Sequence, residues 1–357
     1  PSLVLHGGGN TSVKVVESNL LGEQENILYV KGSGWDLATI ESAGYTPIRM
    51  DHLLRLAQLE SLSDSQMVNE MKTHQTIASA PTGSVEAILH AALPYKFVDH
   101  THADAVVTIT NTPDGEDRIR QIYGDQVVII PYVMPGFDLA RLVAEQFARE
   151  SGPNTRGMIL MNHGIFSFAE TAKESYEHMI DLVGLAVQYL QQQGAWDLPD
   201  PAASGQPAVD LTGVAELRRK VSHVAGHPVI LHTDDSDEAL QFCRRDDMQH
   251  ISQQGPATPD HVIRSKRLPQ LGRDVDAYLE EYNAYFDEHA AGARTPVTML
   301  DPAPRVILDV DWGLLTAGKS LKEANINRDI YRHTMEIIQR AELLGGWRAL
   351  PAQDIFY

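Results

Sequence analysis

Apolar residues change their spacing several times along this chain. In the first thirty residues they form short runs broken by glycines. Leu3-Val4-Leu5, Ser12–Val16 and Ile27–Val30 each predict a short strand. Leu53, Leu54, Leu56 and Leu59 predict a helix from Met50 to Leu62. Ser84 is placed to cap a helix with Val85, Ile88, Leu89 and Leu93 on its apolar face, ended by Pro94. Phe97–His100, Val106–Thr110 and Val127–Pro131 read as strands, and Asp138–Glu150 as an amphipathic helix. Met158–Met161 and Ile165–Phe168 read as a strand pair around Asn162-His163-Gly164, followed by a long helix over Thr171–Gln193. The stretch from Pro199 to Pro207 is rich in proline and small residues and marks a linker, 199–209, between regions 1–198 and 210–357. Beyond it, helices are expected at Val214–Ala225, Asp237–Arg244, Asp274–His289 and about 322–344, with strands at Val229–His232 and Arg305–Leu308.

One pattern recurs. Arg156-Gly157-Met158-Ile159, then Gly164, Thr171, Lys173 and Glu174, lines up with Arg305-Val306-Ile307-Leu308, then Gly313, Ser320, Lys322 and Glu323, at a constant offset of 149 residues. Two α/β units sharing a common pattern would read this way, as would a degenerate partial repeat of the first region. In the second block Asp311-Trp312 replaces Asn162-His163, so a true copy has lost whatever His163 does.

Composition narrows the classes. The 357 residues suit one large or two ordinary domains, and 43% hydrophobic with 22% charged residues is a globular mix. The net charge of −19 argues against nucleic acid or an anionic membrane as partner, and no apolar run reaches spanning length. A lone cysteine, Cys243, makes no intramolecular disulfide and fits a reducing, cytoplasmic setting. The chain opens on Pro1 directly before a motif, which leads us to expect a missing N-terminus.

Three features could carry chemistry. On a strand, residues two apart share a face, so His100 and His102 could present two imidazoles to one ion, with His163 from its glycine turn as a third. His-x-His alone equally suits structural histidines. Glu86, just ahead of that strand, is either a helix-dipole partner or, beside a metal, a general base, with His90 one turn on. The loops Gly7-Gly8-Gly9-Asn10-Thr11-Ser12 and Lys31-Gly32-Ser33-Gly34 expose backbone N–H groups that could cradle a phosphate, or are simply tight turns. Neither is a nucleotide fingerprint, so no cofactor-binding residue for NAD is expected. His223, His227 and His250 read as structural or solvated.

Taken in order, HGGGNTS, KGSG, a glutamate ahead of His-x-His, and NHG resemble the class II aldolase/adducin family. The phrases LVLHGGGNTSVK, VDHTHADAV, YVMPGFDLARL, NHGIFSFAETAKESYE, GPATPDHVIRSKR and DPAPRVILD bring the chain nearest to the aldolase part of bifunctional rhamnulose-1-phosphate aldolase/short-chain dehydrogenase proteins. The resemblance implies an α/β fold with a central, mostly antiparallel sheet flanked by helices, and a second, smaller α/β region. It implies a catalytic domain over 1–198, an accessory region over 210–357 and a cytoplasmic homotetramer. It makes His100, His102 and His163 ligands of Zn2+ or another divalent metal, and Glu86 the acid/base. Gly9, Asn10, Ser33, Gly34 and Ser84 become substrate phosphate contacts. Val85 stands where fuculose-phosphate aldolases have a serine, and their proton-donating tyrosine has no clear counterpart; Asp114 and Glu116 are the nearest candidates. The implied activity is a lyase cleaving a ketose 1-phosphate, L-rhamnulose 1-phosphate first among them, to dihydroxyacetone phosphate and L-lactaldehyde through a metal-stabilised enediolate. The competing readings are a sugar-phosphate epimerase or dehydratase, or a non-catalytic adducin-like module. Relatives with a fused dehydrogenase carry a nucleotide-binding domain after this region, and the sequence does not tell whether the full-length product continues into one.

Overall fold

The computed structural model describes residues 2–201, 210–293 and 296–356, which divide into two compact units, 1–196 and 197–357. Most of the expected linker, 202–209, lies outside the described residues.

The first unit runs β1 (Asn10–Ser18), β2 (Gln24–Lys31), β3 (Tyr45–Arg49), α1 (Met50–Leu56), α2 (Asp64–Thr73), α3 (Ala87–Ala92), β4 (Phe97–Thr101), α4 (Asp104–Thr110), α5 (Gly115–Tyr123), β5 (Val127–Ile130), α6 (Phe137–Glu150), β6 (Gly157–Leu160), β7 (Gly164–Ala169) and α7 (Ala172–Gln192). Its sheet has the order β3-β2-β1-β4-β7-β6-β5, and only the β5–β6 pair is parallel. This is the mixed fold expected, with a mostly antiparallel sheet. Alternation along the strands divides the core. Leu28 and Val30, Val128 and Ile130, Met158 and Leu160, and Phe166 and Phe168 meet α1, α2, α3 and α6 on one face. On the other face β4 and β7 pack against α7, with α4 and α5 beside it.

Two expectations fail here. Leu3–Leu5 forms no strand. Val106–Thr110 is not a strand but most of α4, and all seven α4 residues are buried. A helix covered on every side loses its polar stripe, so its β-branched run looks like a buried strand. The Met50–Leu62 stretch also ends sooner, at Leu56, and α2 follows with a Ser63–Gln66 capping box.

The second unit runs α8 (Leu211–Ala225), β8 (Ile230–Asp234), α9 (Asp237–Cys243), α10 (Met248–Ser252), α11 (Val262–Ser265), β9 (Gln270–Leu271), α12 (Val275–Ala290), β10 (Val306–Asp309), β11 (Gly313–Gly318) and α13 (Leu321–Leu343), with sheet order β8-β11-β10-β9. It repeats half of the first unit in detail. The starts of β6, β7 and α7 map onto those of β10, β11 and α13 at the same offset of 149 seen in the sequence. Phe97↔Ala169 between β4 and β7 becomes Ile230↔Gly318 between β8 and β11, and β5–β6 becomes the parallel β9–β10 pair. The Ser167 hydroxyl donates to Ser175 O at 2.8 Å, and its counterpart Thr316 donates to Ala324 O at 2.8 Å. Thr171 and Ser320 cap equivalent helices through Glu174 N and Glu323 N. Register places Thr233, Asp235 and Trp312 where the first unit has His100, His102 and His163. The β10–β11 turn is instead clamped by Asp309, which binds Arg273 twice at 2.8 Å while the guanidinium lies 3.6 Å over the Trp312 ring. No helix among the described residues is long and apolar enough to cross a membrane.

Candidate active site

The site grows from β4. His100 is on this central strand, and His102 lies just past its end, before α4 begins. His163 comes from the turn between β6 and β7, where Asn162 takes a left-handed backbone (φ 56°) and His163 N donates to Leu160 O at 3.2 Å. Thus residues 61 positions apart converge, because β4 and β7 are neighbours in the sheet.

One ligand atom from each of His100, His102 and His163 lies within 4.8 Å of the others, and all three residues are buried. Ring centroids are 4.8–5.0 Å apart in every pairing. His100 Nδ1 is 3.1 Å from Ile165 O; donating there leaves a lone pair on Nε2. That Nε2 faces His102 Nε2 at 3.0 Å. A separation this short is filled either by the Nε2 proton of a neutral His102, donated to His100, or by a metal ion that takes both lone pairs.

Glu86 closes the cluster. It is 5% exposed, at the N-cap of α3 rather than within its first turn. Oε2 lies 3.7 Å from His100 Nε2, and Oε1 lies 3.9 Å from His163 Nε2. Oε2 accepts a 2.6 Å hydrogen bond from Asn10 Nδ2, whereas buried Oε1 has no hydrogen-bond partner among the described residues. An orphaned carboxylate oxygen beside three imidazoles fits a divalent cation and a reacting proton.

Asn10 is oriented from behind. Its Nδ2 also reaches Ser84 Oγ at 3.0 Å, and its Oδ1 bonds His90 Nε2, whose Nδ1 takes a 2.8 Å bond with Ser12 Oγ. Complete burial pushes the His90 pKa down to about 3, so this imidazole is neutral. Neutral His90 donates from Nε2 and accepts at Nδ1, which fixes the Asn10 amide with its NH2 toward Glu86.

The glycine loops meet beside these groups. Gly9 has φ +58°, and a Cβ there would stand 2.6 Å from His100 O, so only glycine lets β1 begin this close to the histidine strand. A Cβ on Gly7 would sit 3.8 Å from the Gly34 backbone, so the two loops touch. Ser33 N donates to Thr82 O, and Ser84 N to Lys31 O, fastening the second loop to the segment carrying Ser84. Gly9, Asn10, Ser33, Gly34 and Ser84 thus belong to adjoining segments. Asp114 and Glu116 do not join them; they are exposed at the start of α5, paired with Arg118 and Arg120.

Sequence reasoning missed two contributors. Lys31, 3% exposed, donates to Gly7 O at 2.9 Å and Trp35 O at 2.7 Å, tying both loops with one ammonium. A lysine at the end of a strand directly before Gly-Ser-Gly was the available signal. Ser12, behind His90, was indistinguishable from other strand serines.

Comparison with known proteins agrees with this architecture. Residues 1–190 match the model of the class II aldolase and adducin N-terminal domain, and residues 208–357 match that of the class II aldolase second domain. An uncharacterized oxidoreductase, YuxG of Bacillus subtilis (strain 168), is 30% identical over 98% of this chain. The chain spans only 53% of that relative. Among solved structures, the N-terminal class II aldolase domain of a conserved Thermoplasma acidophilum protein is 44% identical, covering 53% of this chain and 86% of that one, with a TM-score of 0.50. The chain belongs to the class II aldolase and adducin family.

Proposed function

We propose that the first unit, within 1–198, is a metal-dependent lyase that cleaves a ketose 1-phosphate, with L-rhamnulose 1-phosphate as the substrate and dihydroxyacetone phosphate and L-lactaldehyde as products. The observation that carries this reading is the unpartnered Glu86 Oε1 beside the three imidazoles. His100, His102 and His163 would hold the ion, zinc by their all-nitrogen donor set. A bound divalent ion supplies Lewis-acid polarisation of a carbonyl oxygen and stabilises negative charge that develops there.

The protein's own residues do the rest. The backbone N–H groups around Gly9 and Gly34, with the side chains of Asn10, Ser33 and Ser84, hold the phosphate and so fix the reacting carbon. Lys31 holds the two loops together from beneath. Glu86 Oε1 exchanges a proton with the carbon next to the carbonyl, while Asn10 holds Oε2 and prevents the carboxylate from turning away. Residues 210–357 act as an accessory region, since the copied positions Thr233, Asp235 and Trp312 offer no comparable ligand set. The oxidoreductase name of the Bacillus relative describes that longer protein; neither glycine loop here reads Gly-x-Gly-x-x-Gly.

The test is product analysis by mass with L-rhamnulose 1-phosphate, before and after chelation. Cleavage into two three-carbon products, abolished by chelation and restored by zinc, supports the reading. An isomer of unchanged mass would mean an epimerase, loss of water a dehydratase, and unchanged cleavage by metal-free protein would reject the metal centre.

A further inference from the structure

A second group of metal-ligating side chains stands outside the three-imidazole centre and has no part in the mechanism. His52 lies on α1, Glu70 on α2 and His74 at the C-cap of α2. One ligand atom from each lies within 4.8 Å of the others. Both helices are anchored to the same strand. α1 springs directly from β3, while Arg49 N donates to His74 O at 3.1 Å and Ile48 bridges Gln75. The three side chains are 15%, 33% and 29% exposed, so the group is held by the fold yet within reach of water.

Glu70 Oε2 is the hub. It lies 2.8 Å from His52 Nε2 and 3.8 Å from His74 Nδ1. Bonds of about 2.0–2.1 Å to a tetrahedral ion separate its ligand atoms by about 3.3 Å, a value these two distances bracket. The two imidazoles face each other with centroids 3.3 Å apart, 5° from parallel. Ring quadrupoles oppose such a sandwich and favour offset or edge contacts at about 4.5–7 Å. Parallel planes share no point, so an ion held by both rings tilts one of them out of the stack. Relief of the stack and capture of an ion therefore ask for the same movement. In that movement His74 Nδ1 leaves Glu70 O, now 2.8 Å away, and this carbonyl keeps its bond from Thr73 Oγ1. His52 must then hold its one proton at Nδ1, and the exposed Arg55 guanidinium, 3.3 Å from Nδ1, must withdraw.

We propose that His52, Glu70 and His74 form a second site for a divalent ion of the zinc class, tying α1 to α2 with at least one position open to water. It makes no use of the lyase reading. The buried three-imidazole centre takes the first equivalent of zinc and this half-buried group the second. The test is calorimetric titration of the chelator-stripped full chain with zinc alone, with imidazole NMR signals followed on the same protein. Two classes of binding are expected. Glu70→Gln and His74→Gln should each weaken the second class at least about tenfold and leave the first unchanged. Arg55→Gln should tighten the second class about 2–10-fold, since one competing hydrogen bond is gone. In wild type the His52 and His74 ring signals should move with the second equivalent, a readout free of any folding defect in the variants. Should the three-imidazole centre take no zinc, the same variants and signals still assign the class that remains. Zinc uptake unchanged in Glu70→Gln and His74→Gln, or His52 and His74 signals that stay still through saturation, would overturn the proposal.

Discussion

Gly164→Ala should disable the candidate metal centre without removing any ligand. A Cβ at residue 164 would lie 2.4 Å from Thr101 O, 3.0 Å from His100 Cε1 and 3.1 Å from His102 Cδ2. Carbon–oxygen contacts are comfortable from about 3.3 Å. Strand β4 must then retreat from β7 by about 0.9 Å, carrying His100 and His102 away from His163. Metal–ligand distances tolerate about 0.2 Å, so the displacement exceeds the tolerance roughly fourfold. Disturbing ligand orientation on this scale lowers metal affinity by about 10–100-fold, and overpacking costs about 1–3 kcal/mol of stability. The assay is calorimetric zinc titration of chelator-stripped protein, with a thermal melt on the same sample. Gly184→Ala on α7 is the control. No atom lies within 4 Å of its new methyl group, so it should leave zinc binding unchanged and add about 0.5–1 kcal/mol of helix stability. A Gly164→Ala protein that binds zinc with wild-type affinity would refute the geometric argument.

Three further outcomes are expected. Glu86→Gln should keep zinc binding while lowering the cleavage rate by about 10²–10⁴-fold; steady-state kinetics beside metal analysis separates the two effects. Lys31→Met should loosen both glycine loops and raise KM for the phosphorylated substrate more than it lowers kcat, while leaving zinc content unchanged. His90 has a pKa near 3 in the folded protein against 6.5 normally. The unfolded chain therefore binds the extra proton first, and stability falls as pH drops below 6.5 toward 3. The expected loss between pH 6.5 and 5 is about 1.6 kcal/mol. Urea unfolding at the two pH values, repeated on His90→Gln, should show that increment disappear in the variant.

The legibility of this chain differs between its parts. Elements with one polar face, such as α6, α7, α12 and α13, stand close to where their spacing places them, because a helix half in water keeps its period. Fully buried α4 does not, and two-residue β9 carries no pattern at all. The three histidines and Glu86 could be named from local motifs, but their convergence depends on the β4–β7 pairing, which no local spacing encodes. The repeat was visible as a single offset in the sequence. Its extent emerged only with strand register and the shared Ser167 and Thr316 hydrogen bonds, since hydroxyls at these positions are ordinary residues in a sequence. The Asn10–His90–Ser12 chain was hidden for the same reason. Its members lie far apart in sequence, and their roles follow from which atom each one faces.

The most direct measurement is anomalous scattering from crystals of zinc-loaded protein, collected on either side of the zinc edge. The account expects a single strong peak within about 2.1 Å of a nitrogen of each of His100, His102 and His163, with Glu86 beside it. A peak elsewhere, with no zinc among these imidazoles in any subunit, would contradict it.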